Sequence, residues 1–95
     1  MKEIVYTDHL KFRIKFRHIP DSLPKEIYLE AEERYFDVQT RHVIAIKEIE
    51  FAGRLREVMV CYDEKSGDRV EIVTIHPLKA YQKLNRIKTG RWQKL

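Results

Sequence analysis

The sequence has few of the residues that interrupt or cross-link a chain. Its 95 residues include three glycines, three prolines and one cysteine, Cys61. A lone cysteine cannot form an internal disulfide, as expected in the reducing cytosol. The longest apolar run, residues 58–62, has five residues, whereas a membrane-spanning helix needs about 20. The first residues also lack the long apolar segment of a signal peptide. We therefore expect a cytoplasmic protein with no membrane partner.

Acidic residues are missing from the C-terminal segment. Residues 77–95 contain six lysines and arginines and no aspartate or glutamate, while residues 1–78 hold 13 bases and all 15 acids. The segment thus carries the whole positive excess of a chain whose net charge is +4. Such a block attracts polyanions through counterion release, which makes RNA an expected partner. A solvated basic helix is the alternative.

The N-terminal third contains two candidate helices after a short strand or extended lead-in. Residues 9–19 alternate apolar and basic side chains as a strand does, but they also fit a helix capped by Thr7 or Asp8. The resemblance described below favours the helix. A second helix starts after residues 20–22, has Pro24 in its first turn and runs to about residue 34.

Strand patterns dominate the middle of the chain. Residues 41–51 and 55–62 are rich in Val and Ile and flank a turn at Ala52-Gly53. Residues 69–75 form a third strand, with Val70, Ile72 and Thr74 expected on one face and Ile75 on the other. The short connections predict antiparallel neighbours.

A last helix is predicted over residues 79–88, where Gly90 ends it. Ala80, Leu84 and Ile87 would form its apolar stripe. The expected fold is therefore α+β: two N-terminal helices packed on a three- to four-stranded antiparallel sheet, with a basic C-terminal helix. One domain would span residues 1–95, with the basic helix and tail at 79–95.

Three short motifs carry a resemblance to a known superfamily. They are His9-Leu10-x-x-Arg13-Ile14-x-x-Arg17-x-Ile19, a strand over residues 55–62 followed by Asp63, and Thr74-Ile75-His76-Pro77. In this order they resemble a family of small bacterial and archaeal proteins within the RelE/ParE/BrnT-type toxin superfamily, over roughly residues 4–78.

The resemblance implies two helices on a curved antiparallel sheet and a ribosome-dependent endoribonuclease or a relative of one. In such toxins cationic groups hold the phosphate, while an acid or base assists attack by the ribose 2′-OH. An antitoxin protein that covers the basic face is the implied partner. This chain departs from the pattern because its inner-strand arginines, Arg54, Arg56 and Arg69, lie near turns.

The best catalytic candidates lie at the end of the third strand. His76 has the side chain suited to proton transfer near neutral pH. Tyr81 can share a proton or stack on a base, and Lys79 can stabilise charge that develops on a phosphorane. The structural alternative is that His76 only forms a hydrogen bond at the strand end.

Two further groups are candidates for nucleic-acid binding. His9, Arg13 and Arg17 share one face and can hold phosphates. The structural alternative is that the two arginines pair with acidic residues. The tail combines an aromatic plane with positive charge, and Trp92 either stacks on a base or packs in the core. The tail group comprises Lys79, Lys83, Arg86, Lys88, Arg91 and Trp92.

No cofactor is expected from the sequence. The four histidines show no metal-ligand spacing, and there is no Gly-rich phosphate loop. The first functional hypothesis is a toxin-like RNA-binding protein or a ribosome-dependent, metal-independent endoribonuclease of a toxin–antitoxin system, or a degenerate relative of one. The alternatives are a non-catalytic nucleic-acid-binding module that uses the tail, and a protein-interaction domain.

Overall fold

The fold is a single mixed β-sheet with helices on both of its faces. The computed structural model describes residues 2–95. The elements in chain order are β1 (Glu3–Tyr6), α1 (Asp8–Arg17), α2 (Leu23–Glu30), β2 (Glu33–Asp37), β3 (Val43–Phe51), β4 (Arg54–Lys65), β5 (Arg69–Pro77), α3 (Gln82–Lys88) and β6 (Trp92–Lys94). The strand order across the sheet is β1-β5-β4-β3-β2-β6.

The protein is α+β, but the expected three- to four-stranded antiparallel sheet is wrong. The sheet has six strands, and β1 runs parallel to β5 while every other pairing is antiparallel. The predicted second helix ends at Glu30 instead of residue 34, and residues 33–37 form β2. The C-terminal residues expected to form a tail add β6 along β2. These pairings join distant parts of the chain, which local periodicity does not reveal.

The predicted helix over residues 9–19 is confirmed as α1. The Thr7 side chain caps it by accepting a hydrogen bond from the Leu10 backbone N–H at 3.1 Å. Leu10 and Ile14 are the buried residues of α1 and, with Ile27 of α2, they pack on the sheet. The cluster on this face of the sheet also contains Ala45, Val58, Val60, Tyr62, Val70, Ile72 and Ile75. Burial of this apolar face holds both helices in place.

The opposite face carries a smaller apolar cluster and α3. Tyr35, Ile44, Ile46, Met59, Leu78 and Trp92 are buried there. α3 has no buried residue, and it is shorter at its start than predicted. Its apolar stripe points outward, since Leu84 is 62% and Ile87 38% exposed. The sheet under α3 is therefore only partly covered.

Candidate active-site cleft

The space between α3 and the sheet is a cleft of about 290 Å³, here called the central cleft. Its walls are formed by α3, the start of β6, the loop after β2 and the exposed faces of β3 to β5. Five side chains bearing imidazole or guanidinium groups line it, from five separate segments of the chain. They are His9, His42, His76, Arg86 and Arg91.

A β-bulge in β5 turns His76 toward the central cleft. Tyr62 pairs with Ile72, but Cys61 pairs with Thr74, so Val73 is an extra residue on β5. Val70 and Ile72 before the bulge, and Ile75 after it, pack on the helix-covered face. The expectation that Thr74 shares a face with Val70 and Ile72 is therefore wrong, because the extra residue reverses the alternation.

His76 sits in an electropositive, partly buried environment. Burial lowers the pKa of His76 from its ordinary 6.5, and the cations Arg13 and Lys79 lower the pKa further. A hydrogen bond to the Pro77 carbonyl raises the pKa but does not cancel these effects. The imidazole Nδ1 lies 3.3 Å from the Pro77 carbonyl oxygen. Because a carbonyl only accepts, this contact places the proton on Nδ1 and leaves Nε2 with a free lone pair. A neutral imidazole in this tautomer can accept a proton at neutral pH.

A second histidine is oriented by a carboxylate. His42 lies directly before β3, and its Nδ1 is 2.6 Å from Oδ1 of Asp63 on β4. The two residues are cross-strand neighbours, since the register pairs Val43 with Tyr62. His76 pairs with Met59, which pairs with Ile46, so the register places His42 two strands and four residues away from His76. They therefore belong to opposite ends of the central cleft.

Asp37 is the buried carboxylate at the base of the central cleft and is 2% exposed. Its oxygens accept hydrogen bonds from Arg91 Nε at 3.1 and 3.2 Å and from Trp92 Nε1 at 3.2 Å. The backbone N–H groups of Gln39 and Thr40 donate at 2.9 and 3.2 Å. Burial raises the pKa of Asp37, but the hydrogen bonds together lower it to about 2. The carboxylate therefore stays ionised and neutralises Arg91.

The thiol in the central cleft is not a nucleophile at neutral pH. Burial raises the pKa of Cys61 to about 12, and the negative charges of Asp37 and Asp63 add to this effect. Thr74, opposite Cys61 on β5, adds a hydroxyl to the same wall. The chemistry available in the central cleft is therefore that of imidazole, guanidinium and hydroxyl groups.

The structure brings together part of the predicted tail group. Arg86 lines the central cleft, and Lys79 lies near enough to His76 to lower its pKa. Lys83 instead bridges two carboxylates, with Nζ at 2.9 Å from Glu33 and 2.7 Å from Glu57. Its charge is therefore compensated within the fold.

Arg91 and Trp92 of the tail group also border the central cleft, whereas Tyr81 and Lys88 do not line it. Trp92 is 3% exposed and stacks on Tyr35 with ring centroids 5.8 Å apart. Of the two roles considered for it, Trp92 therefore packs in the core. Tyr81 precedes α3 as its N-cap and is exposed. Lys88 is the exposed last residue of α3. The proposed catalytic role of Tyr81 remains a prediction.

The basic residues of α1 lie along the edge of β5. Thr7 Oγ1 donates to the Val73 carbonyl at 3.0 Å, and Arg13 Nε donates to the Ile75 carbonyl at 2.7 Å. These donors satisfy carbonyls that would otherwise be free at a strand edge. His9 lines the central cleft beside this edge, while Arg17 lies further along α1. Arg13 thus has a structural contact and also faces His76 electrostatically.

The sequence reasoning missed His42, Asp63 and Asp37. The Ala52-Gly53 turn contained the signal for the first two, because counting outward from it places residue 42 opposite residue 63. No comparable local signal exists for Asp37. Its partners Arg91 and Trp92 lie 54 and 55 residues later in the chain and meet it only when β6 pairs with β2.

Comparisons with protein-family models, with curated proteins and with solved structures found no match. Within residues 2–95, no helix is long and apolar enough to cross a membrane. Across the same residues, no three metal-ligating side chains of His, Cys, Asp or Glu form a cluster.

Proposed function

We propose that the protein binds single-stranded RNA in the central cleft and cleaves it by a metal-independent, toxin-like mechanism in the cytoplasm. The observation that carries the proposal is the state of His76. It is a neutral, half-buried base at a strand end, and the charged groups that shift its pKa, Arg13 and Lys79, are both cations. A polyanion is the ligand that such a setting attracts.

The reaction is an attack by the ribose 2′ oxygen on the adjacent phosphorus. His76 Nε2 removes the 2′-OH proton as the new O–P bond forms and the bond from phosphorus to the 5′ oxygen breaks. The products are a 2′,3′-cyclic phosphate and a free 5′-OH. Arg86 stabilises the negative charge that develops on the phosphorane.

His9 supplies the proton that the leaving 5′ oxygen needs. It lines the central cleft from the edge of β5, where Thr7 is bonded to Val73, and its side chain is exposed to solvent. An exposed imidazole exchanges protons with water and can restore its proton after each turnover. His42, held by Asp63 at the other end of the central cleft, contacts a neighbouring nucleotide in this arrangement.

The test is cleavage of a fluorescent single-stranded oligoribonucleotide, either free in the presence of EDTA or within ribosome-bound mRNA in a magnesium-containing buffer. We expect 2′,3′-cyclic phosphate ends from at least one of the two substrates. His76→Asn should reduce the rate at least about 100-fold, the usual contribution of a general base. His18→Asn is the matched control, because His18 is an exposed histidine at the end of α1.

Two results would reject this mechanism. One is the absence of cleavage of both substrates by the wild-type protein. The other is equal cleavage by His76→Asn and wild type. Retained binding of a 2′-O-methyl oligonucleotide without any cleavage would instead support the non-catalytic nucleic-acid-binding alternative.

A second candidate function is protein binding through α3. Its outward face exposes Tyr81, Leu84 and Ile87, beside the basic residues Lys79 and Lys88. Apolar side chains framed by cations fit an acidic amphipathic segment, as the implied antitoxin would provide. We expect an acidic amphipathic helical peptide to bind the protein in fluorescence anisotropy, and Leu84→Asp to disrupt the complex. Leu55→Asp, at an equally exposed leucine in β4, is the control; equal effects of both would reject this role.

A further inference from the structure

A second depression lies on the other side of β5 and carries positive charge. This arginine groove, about 310 Å³ in volume, is lined by Arg13, Arg17 and Arg56, and His76 borders both it and the central cleft. Within residues 2–95, none of the three arginines has a carboxylate oxygen within 4.0 Å. Over the same residues, Arg56 Nε is buried without a hydrogen-bond partner. The arginine groove therefore holds uncompensated donors for an anion.

Two aromatic rings lie exposed on α1, the helix that carries Arg13 and Arg17. Phe12 and Phe16 of α1 are 66% and 67% exposed, and their rings are 5.7 Å apart at an interplanar angle of 11°. The core contacts of α1 come from Leu10 and Ile14, so the fold does not bury either phenylalanine. Because the two rings stack on each other, the pair presents outer ring faces to solvent, and another planar group can extend the stack there.

Arg17 connects the rings to the arginine groove. It lines the groove, and its guanidinium carbon lies 6.0 Å from the centroid of the Phe16 ring. Lys11 and Lys15 are exposed beside the rings, and the acidic residue of α1, Asp8, lies in the first turn. The surface therefore combines aromatic planes with positive charge, which complements a phosphate chain with unstacked bases.

We propose that Phe12 and Phe16 form a stacking platform for bases of single-stranded RNA whose phosphates lie in the arginine groove. The RNA strand would continue from the arginine groove past His76 into the central cleft. This inference therefore rests on the proposed function and specifies that its substrate is single-stranded. Stacking requires open base faces, which excludes a fully paired duplex. It also tolerates any base, so the platform binds flanking nucleotides without strong sequence preference.

The first experiment measures fluorescence anisotropy with a fluorescein-labelled, 2′-O-methyl oligouridylate of twelve nucleotides, which cannot be cleaved. We expect the double variant Phe12→Leu/Phe16→Leu to bind at least about tenfold more weakly, the scale of one lost stacking contact. Leucine keeps the exposed surface apolar, so the comparison isolates the aromatic ring. Unchanged affinity in this variant would reject the platform.

The second experiment measures the salt dependence of the same binding. Arg17→Gln/Arg56→Gln should make the slope of log K against log salt shallower by about 1.4, because each phosphate contact on a single strand contributes about 0.7. Lys65→Gln/Arg69→Gln removes the same charge at the exposed β4–β5 turn and should leave the slope nearer that of wild type. Equal slopes for the two double variants would reject the phosphate role of the arginine groove.

The outcomes separate this inference from the proposed function. If the wild type cleaves RNA while the Phe12→Leu/Phe16→Leu variant binds and cleaves normally, the platform alone fails. If the wild type has no RNA affinity at about 0.15 M salt, the proposed function and the platform fail together. Binding to phosphatidylglycerol vesicles without RNA affinity would likewise overturn the proposal and identify the surface as a membrane contact.

Discussion

The two faces of the sheet differ in what covers them and in what they contain. On the side of α1 and α2, Val58, Val60, Val70, Ile72 and Ile75 are fully buried. On the side of α3, apolar residues surround a cleft that also holds ionisable groups. Along β4 the faces alternate residue by residue, so one strand contributes to both.

The difference follows from which side of each helix faces the sheet. α1 and α2 present leucine and isoleucine, so water is excluded and the apolar contacts stabilise the fold. α3 presents Gln82, Lys83 and Arg86 and leaves Leu84 outside. A polar helix surface over a sheet leaves room for a ligand. The face that contributes less to stability is thus the one suited to function.

The largest expected loss of stability comes from removing the β-bulge at Val73, which sets the face of the sheet to which the later residues of β5 point. Deletion of Val73 would turn Thr74 and His76 toward the helices and Ile75 toward the central cleft, since alternation has a period of two. We expect a loss of more than about 4 kcal/mol in the free energy of unfolding, measured by urea denaturation. Val73→Ala keeps the bulge and should cost about 1 kcal/mol. Equal stability of the deletion and the substitution would contradict this account.

The next largest loss of stability is expected from removing the buried carboxylate of Asp37 on the cleft face. Asp37→Ala leaves Trp92 Nε1 buried without its acceptor and Arg91 without its counter-ion. We expect a loss of about 3 kcal/mol in unfolding free energy by urea denaturation. Asp21→Ala, at an exposed aspartate, should change stability by no more than about 0.5 kcal/mol.

The same carboxylate predicts a pH dependence. Because the folded-state pKa of Asp37 is about 2 and its ordinary value is 3.8, the unfolded chain takes up a proton first as pH falls. The stabilisation by Asp37 is therefore complete above about pH 4 and is lost toward pH 2. Urea midpoints between these values should fall more steeply for wild type than for Asp37→Ala. Parallel curves would contradict the assignment.

A smaller pH effect is expected from His76. Burial and the nearby cations lower its folded-state pKa below 6.5, so protonation favours the unfolded chain. The stabilisation is complete above pH 6.5 and decreases as pH falls through the lowered pKa. Urea midpoints at pH 7.5 and 5.5 should therefore differ more for wild type than for His76→Asn. An equal difference would show that His76 is not the group responsible.

The smallest change in stability is expected from truncating a side chain on the outer face of α3. Leu84→Ala should change the free energy of unfolding by no more than about 0.5 kcal/mol, because Leu84 is mostly exposed. The same truncation at Leu10 should cost about 3 kcal/mol, because that side chain is fully buried against the sheet. Urea denaturation of both variants provides the comparison. Similar losses would indicate that α3 packs through its apolar stripe after all.

Local patterns predicted those elements whose partners are near in sequence. The β3–β4 hairpin follows from Ala52-Gly53, where both residues have positive φ. For α1 the pattern fitted both a strand and a helix, and the resemblance favoured the helix; of the two cap candidates, Thr7 and Asp8, Thr7 caps it. His76, His9 and Arg86 were chosen from residue chemistry and do line one cleft. What failed were β2, which was predicted as the end of a helix, and the two edge pairings, β1 beside β5 and β6 beside β2. β1 and β6 have four and three residues, too few for a periodic pattern that would identify the strand with which each pairs.

The sequence by itself determined the class of chemistry available: basic side chains, imidazoles near strand ends and alternating strands with one apolar face toward helices. Tertiary structure decided which of these groups act together. It buried Trp92 against Tyr35, paired Lys83 and Arg91 with carboxylates, and turned His76 into the central cleft through one extra residue in β5. The physical reason is that the register between distant strands decides which charges pair and to which face of the sheet a side chain points. Composition and periodicity report only on neighbours along the chain.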